Sequence, residues 1–223
     1  MLTLVGAARA IPITYSYTGV VTDASGIFVG QGTTVTGTFS FDDSLTDTSP
    51  LSPIGWFDPR SPASNNPLTS SFQATLSLGA VSVSALATLP DEPVDLDSEE
   101  IAYLEITDLD SRDGVFYMIW PVGRTVSPFF RLVATGPDGS LSVGTADFPN
   151  SIADAIMFLD NLDLSLFTEA SGFFGENNPT GVGDENRVDF VWSDISRVQV
   201  PEPTTLSLLG IGLLGLALAR RRR

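Results

Sequence analysis

Two stretches near the N-terminus, ITYSYTGVVT at residues 13–22 and TTVTGTFSF at residues 33–41, decide the fold class. In both, bulky side chains alternate with small or polar ones, which is the two-residue period of a half-buried β-strand. Thr, Val, Tyr and Phe dominate them, and these residue types favour a pleated, half-buried surface. The two stretches therefore predict β-strands.

The rest of the chain up to residue 200 continues this pattern. Short turn signals separate the segments, as expected for antiparallel neighbours. One segment, SIADAIMFLD at residues 151–160, has a helical period instead. We predict an all-β body, a single antiparallel β-sandwich for which a jelly roll is one fitting topology, with this one helix covering an end of the sheets. The further strand segments are residues 70–78, 80–88, 100–108, 114–120, 128–135, 140–144 and 187–200.

The composition excludes several kinds of catalytic and metal-binding site. The chain has 27 acidic residues and 11 basic ones, all arginine, for a net charge of −16, and it has no histidine, lysine or cysteine. A Ser-His-Asp triad, a cysteine nucleophile, a disulfide and an ordinary zinc site are therefore excluded. Residues 11–199 hold 26 acids against 6 arginines, a net charge of −20. Such a body repels nucleic acid and attracts cations.

The first ten residues, MLTLVGAARA, contain a short apolar run that closes on Ala8-Arg9-Ala10. A small residue at each of these outer positions is typical of the site that signal peptidase cleaves. The segment has no basic start and a short apolar run, so we interpret residues 1–10 as part of a signal peptide. An ordinary N-terminus is the alternative.

The chain ends in VPEPTTLSLLGIGLLGLALARRRR, residues 200–223. Residues 204–219 are uncharged, and as a helix they would span about 24 Å of a bilayer core of about 30 Å, which is short for a permanent anchor, but the arginines that follow can reach the interface. We therefore predict a C-terminal transmembrane helix. The positive-inside rule places the four arginines in the cytoplasm and the body on the other side. Before the helix, Pro201 and Pro203 impose an extended backbone, the form of chain that proteases bind. These three features involve Pro201, Glu202, Pro203, Arg220, Arg221, Arg222 and Arg223.

This order of a Pro-Glu-Pro element, an apolar Gly-rich helix and an arginine cluster resembles the PEP-CTERM sorting signal. The resemblance is confined mainly to residues 200–223 and leaves the body, residues 11–199, without an assigned activity. It implies an exosortase as processing partner and a Gram-negative-type bacterium as the source. It also implies export, transient anchoring in the inner membrane, cleavage near Pro201–Pro203 and release to the cell surface or the extracellular exopolysaccharide matrix. A plain C-terminal membrane anchor is the alternative.

Acidic residues suggest one metal candidate. Asp95, Asp97 and Glu99 lie in an acidic segment before a predicted strand, where carboxylates on a flexible backbone could bind calcium. Their spacing matches no known calcium loop, so solvated surface charge is the alternative. A second acidic run, residues 108–114, is better explained as a hairpin turn. The sequence requires no other cofactor.

Trp56 and Phe57, in a proline-rich segment at residues 46–68, suggest an aromatic platform for a sugar ring. The alternative is that they attach the segment to the body. From these features we predict an exported, non-catalytic surface or matrix protein with a structural or adhesive role in exopolysaccharide or biofilm. A lectin-like carbohydrate-binding module and a polysaccharide hydrolase with paired carboxylates remain the competing hypotheses.

Overall fold

The computed structural model describes residues 11–45, 54–57, 72–87, 102–109, 112–119, 128–137, 151–176 and 186–199. These residues form ten β-strands, one α-helix and two short 3-10 helices, at Gly26–Phe28 and Leu164–Leu166. The helix α1 is Ile152–Asp160. The strands are β1 Pro12–Ser25, β2 Thr34–Asp42, β3 Ile54–Phe57, β4 Phe72–Leu78, β5 Val81–Ala87, β6 Ala102–Leu109, β7 Arg112–Ile119, β8 Pro128–Gly136, β9 Glu169–Glu176 and β10 Arg187–Arg197.

All ten strands belong to one antiparallel sheet in the order β3-β6-β7-β8-β9-β10-β1-β2-β4-β5. The antiparallel all-β prediction is confirmed, but one continuous hydrogen-bonded sheet replaces the two separate sheets of a sandwich. The sheet curls so that β5 packs over β7 and β8. Alternation of buried and exposed residues is the same in one curled sheet and in two stacked sheets, so the sequence period could not distinguish them.

The first strand pairs with the last. Along β1, Tyr15 lies opposite Arg197 and Ser25 lies opposite Arg187 on β10, with two register shifts between. Beyond the paired residues, the Val198 amide donates a hydrogen bond of 2.8 Å to the Thr14 carbonyl. The other side of β1 pairs with β2. The strand nearest the N-terminus is therefore fixed between its sequence neighbour and the strand nearest the C-terminus.

Tyrosines on the inner face donate hydrogen bonds to backbone carbonyls of other strands. Tyr117 on β7 donates to the carbonyls of Ser40 on β2 and Gln73 on β4, at 2.9 and 3.0 Å. Tyr17 on β1 donates to the Thr75 carbonyl at 2.8 Å and stacks on Phe190, with ring centroids 5.7 Å apart. Burial raises the pKa of both hydroxyls well above the ordinary value of 10.0, so they stay neutral donors.

The predicted helix at residues 151–160 is confirmed as α1. The Ser151 hydroxyl caps it by accepting from the Asp154 amide at 3.2 Å. Its apolar face joins the core, with Phe158 and Leu159 buried. At its last turn, Asp160 accepts a hydrogen bond of 2.8 Å from the Tyr15 hydroxyl and forms an ion pair of 3.1 Å with Arg197. The helix thus covers the end of the core where β1 begins and β10 ends.

Two strands were missed by the sequence prediction. β3 lies inside the proline-rich segment 46–68, and β9 is Glu169–Glu176; neither range is among the predicted strand segments. β9 contains Gly172 and Gly175, which weaken a strand pattern. The structure explains why residue 172 is glycine, because the ring of its cross-strand partner Phe190 occupies the space that a side chain would need. The predicted strand at 140–144 lies outside the described residues.

The space around Gly37 generates a test of the inner-face packing. Gly37 lies opposite Tyr17 on β1, and a Cβ atom there would overlap the Thr75 carbonyl oxygen and the Tyr17 hydroxyl. We expect Gly37→Ala to lower the free energy of unfolding of the full chain by about 1–3 kcal/mol. The adjacent exposed residue provides the control, Thr36→Ala, which should change it by less than about 0.5 kcal/mol. Urea denaturation followed by tryptophan fluorescence measures both, and equal midpoints would contradict this packing.

Candidate functional site

The ends of β1 and β10 form a cleft of about 310 Å³. The N-terminal side of this cleft is held by Asp43, whose amide donates to the Ile11 carbonyl at 3.1 Å and whose carboxylate accepts from the Ile11 amide at 2.9 Å. The C-terminal side is held by the hydrogen bond that the Val198 amide donates to the Thr14 carbonyl and by the ion pair of Arg197 with Asp160. The lining residues are Ile11, Pro12, Ile13, Thr14, Arg197, Val198 and Gln199.

This end of the sheet is therefore where the body meets the C-terminal segment. Both sides of the junction are held by hydrogen bonds up to residue 198, two residues before the segment 200–223 that resembles a sorting signal. The chain enters that segment from a fixed strand rather than from a long linker.

The two residues of the predicted aromatic platform, Trp56 and Phe57, lie on opposite faces of β3. Successive residues of a strand point to opposite faces, and accordingly Phe57 is fully buried in the core whereas Trp56 is half-buried on the outer face. Trp56 stacks on Tyr103 of β6, with ring centroids 4.5 Å apart and an interplanar angle of 18°. Glu105 lies directly opposite Trp56 in the strand pair. On the outer face Trp56 and Glu105 are half-buried, whereas Tyr103 is buried with only 9% of its surface exposed.

A second group of aromatic residues on the outer face includes Phe173, which together with Phe174 is a weaker sequence candidate for the same kind of sugar platform. Phe173 packs against Phe129 with ring centroids 5.1 Å apart, and the Arg187 guanidinium lies 4.6 Å from the Phe173 ring centroid. Arg187 also pairs with Asp189 through two hydrogen bonds of 2.6 and 2.9 Å. As in the Trp56-Phe57 pair, strand alternation separates the two candidates, because Phe174 is buried in the core.

The calcium candidates Asp95, Asp97 and Glu99 lie outside the described residues, as do Pro201, Glu202, Pro203 and the arginine cluster Arg220–Arg223. In the part of the chain that the structure does describe, no three acidic side chains come together as a metal site would need. The acidic run at 108–114 spans the β6–β7 hairpin, in which Leu109 pairs with Arg112. The hairpin interpretation of that run is therefore confirmed.

The predicted transmembrane helix at 204–219 likewise falls outside the described residues. Among the residues that are described, no helix has the length and apolar character needed to cross a membrane.

Comparison with known proteins gives one match. The family of the PEP-CTERM protein-sorting motif matches residues 199–223. No curated protein and no solved structure matches the chain.

The fold and the match together define an exported β-sheet protein whose last strand leads directly into a sorting signal. The chain carries a PEP-CTERM sorting motif, and the resemblance drawn from the sequence is confirmed. This motif is the signal that an exosortase recognises, and it indicates export and sorting to the bacterial cell surface or the exterior.

The position of the motif generates a prediction about the mature protein. We expect cleavage near Pro201–Pro203, so surface or secreted material should contain no peptide from residues 206–223. Because the chain lacks lysine, arginine-directed proteolysis followed by mass spectrometry suits this measurement. Peptides from the body, such as the one ending at Arg197, are the internal control. Intact C-terminal peptides in the released fraction would contradict processing.

Proposed function

We propose that this chain is a non-catalytic protein of the cell surface or extracellular matrix, with a structural or adhesive role in exopolysaccharide. After transient anchoring in the inner membrane, an exosortase cuts its C-terminal signal and the acidic body is released. The observation that carries this proposal is the position of the sorting motif at residue 199, directly after the pairing between β1 and β10. Removal of the motif leaves the closing pair of strands complete.

The charge of the body supports a matrix role. A net charge of −20 over residues 11–199, with no lysine, keeps the released protein soluble and lets divalent cations link it to acidic polysaccharide. The stability of the body does not depend on disulfides, since the chain contains no cysteine. Its core is instead held by buried aromatic rings and by tyrosine hydroxyls bonded to backbone carbonyls.

Deletion and complementation in the producing bacterium test the proposal. We expect deletion to reduce the exopolysaccharide retained on cells, and the natural chain to restore it. A chain with Pro201, Glu202 and Pro203 changed to alanine should remain with the membrane fraction and fail to restore it. Purified protein should release no reducing sugar from the isolated matrix. Full restoration by the motif variant would contradict the proposed route, and release of reducing sugar would establish a hydrolase instead.

A lectin-like module is the second candidate, and the outer-face group at β3 and β6 favours it. Trp56 presents an indole stacked on Tyr103, and Glu105 stands opposite it across the strand pair. Aromatic rings pack against the C–H faces of sugars, and a carboxylate accepts hydrogen bonds from sugar hydroxyls. The pair of Thr107 and Glu105, joined by a hydrogen bond of 2.9 Å, fixes that carboxylate.

We expect Trp56→Ala to weaken binding to the bacterium's own exopolysaccharide by about tenfold if the body is a lectin. Val191→Ala is the control, because Val191 is an exposed apolar residue on the outer face of a different strand, β10. Binding is measured on immobilised polysaccharide, with circular dichroism to verify that both variants fold. Equal binding by the natural chain and Trp56→Ala would remove this site from consideration.

A further inference from the structure

The strand β5 forms one edge of the ten-stranded sheet. Within the described residues it pairs with β4 through all seven of its positions and with no other strand. Val81 and Val83 pack against the core and Ala85 is buried, whereas Ser82, Ser84 and Leu86 are exposed on the outer face. The backbone N–H and C=O groups on the far side of an edge strand can accept another strand.

The sequence around this edge lacks the usual protection against pairing. Natural edge strands commonly carry a charge, a proline or a bulge. The β4–β5 hairpin has none of these, and no charged residue occurs between Arg60 and Asp91. In a chain with a net charge of −16, this is an unusually long uncharged stretch. Two copies of so acidic a protein meet least repulsion along such a stretch.

We propose that two copies of this chain associate edge to edge through β5, in antiparallel register about a two-fold axis at Ser84. This register places Ser84 opposite its own copy and Ser82 opposite Leu86. It preserves both faces of the sheet, since the apolar positions meet apolar positions and the outer positions meet outer ones. The inference concerns self-association of the body and holds whether or not the matrix role is correct.

The residues on the outer face of the sheet are a second argument for pairing between two β5 strands. A row of hydroxyl residues crosses five adjacent strands, and it ends at Ser84 on the edge. Thr38 bonds Thr75 at 2.8 Å, and Ser16 bonds Ser196 at 2.9 Å. A second copy continues the row with the same small residues, without steric conflict or unpaired charge. The row consists of Ser84, Thr75, Thr38, Ser16 and Ser196.

The absence of cysteine from the chain permits a direct test of the register. In the full chain Ser84→Cys, held in mild detergent to keep residues 204–219 dispersed, the two new thiols belong to different copies. Directly opposed residues have Cα atoms about 4.5–5.5 Å apart, within the range that a disulfide spans. We expect rapid formation of a disulfide-linked dimer on mild oxidation.

Ser82→Cys is the matched control, because it lies on the same face of the same strand. In the proposed register its two copies are about 13 Å apart along the strand, too far for a disulfide. Equal crosslinking at both positions, or none at Ser84→Cys, would overturn the register.

A charge at the edge provides an independent measurement. Ser84→Lys should weaken dimerisation in sedimentation velocity by about tenfold, because like charges then face each other. Thr36→Lys, an exposed substitution on the interior strand β2, should leave dimerisation unchanged. A natural chain that sediments as a monomer at about 100 μM would overturn the proposal.

Discussion

The pairing of the first strand with the last is the constraint on which the rest of this structure depends. β1 is the only described strand flanked by partners from both ends of the chain, with β2 on one side and β10 on the other. One wing, β2-β4-β5, extends from β1, and the other, β9-β8-β7-β6-β3, extends from β10. The sheet is complete only when both terminal strands are present. Since the PEP-CTERM motif begins at residue 199, the strand that completes the sheet is the last part of the body before the sorting signal.

The curl of the sheet follows from aromatic residues on its inner face. Tyr117, five positions away from β2 in the strand order, donates to β2 and β4 across the core and packs against Phe39, with ring centroids 4.6 Å apart. Each such hydroxyl would carry a large desolvation cost without an acceptor. Tyr117 reaches its two acceptors because the two wings face each other across the core. The same packing demands glycine beneath the rings, as at Gly37 and Gly172.

Local pattern was sufficient for β1, β2, the β4–β5 and β6–β7 hairpins and α1, because alternation, turn residues and a Ser151 cap are all short-range signals. It was insufficient for β9, because the need for glycine at residue 172 comes from the Phe190 ring on another strand. It was also insufficient for β3, because these four residues between prolines pair with β6, a strand distant in sequence. For the same reason, the sequence predicted Trp56 as part of an aromatic platform but not its partner Tyr103. The side chain is identifiable in the sequence, but its stacking on Tyr103 arises from a pairing across about fifty residues.

The neutral tyrosines have a further consequence for a protein that leaves the cell. Carboxylates ionise near pH 4, arginine stays protonated, and tyrosine ordinarily ionises near pH 10, which burial raises further for Tyr15, Tyr17 and Tyr117. With no histidine, lysine or cysteine, no side-chain type in this chain ordinarily titrates between pH 6 and 9. Apart from its single α-amino group, which ordinarily ionises at about pH 8, the body therefore keeps a nearly constant charge across this pH range. Its electrostatic interactions over this range therefore respond to salt and divalent ions rather than to protons.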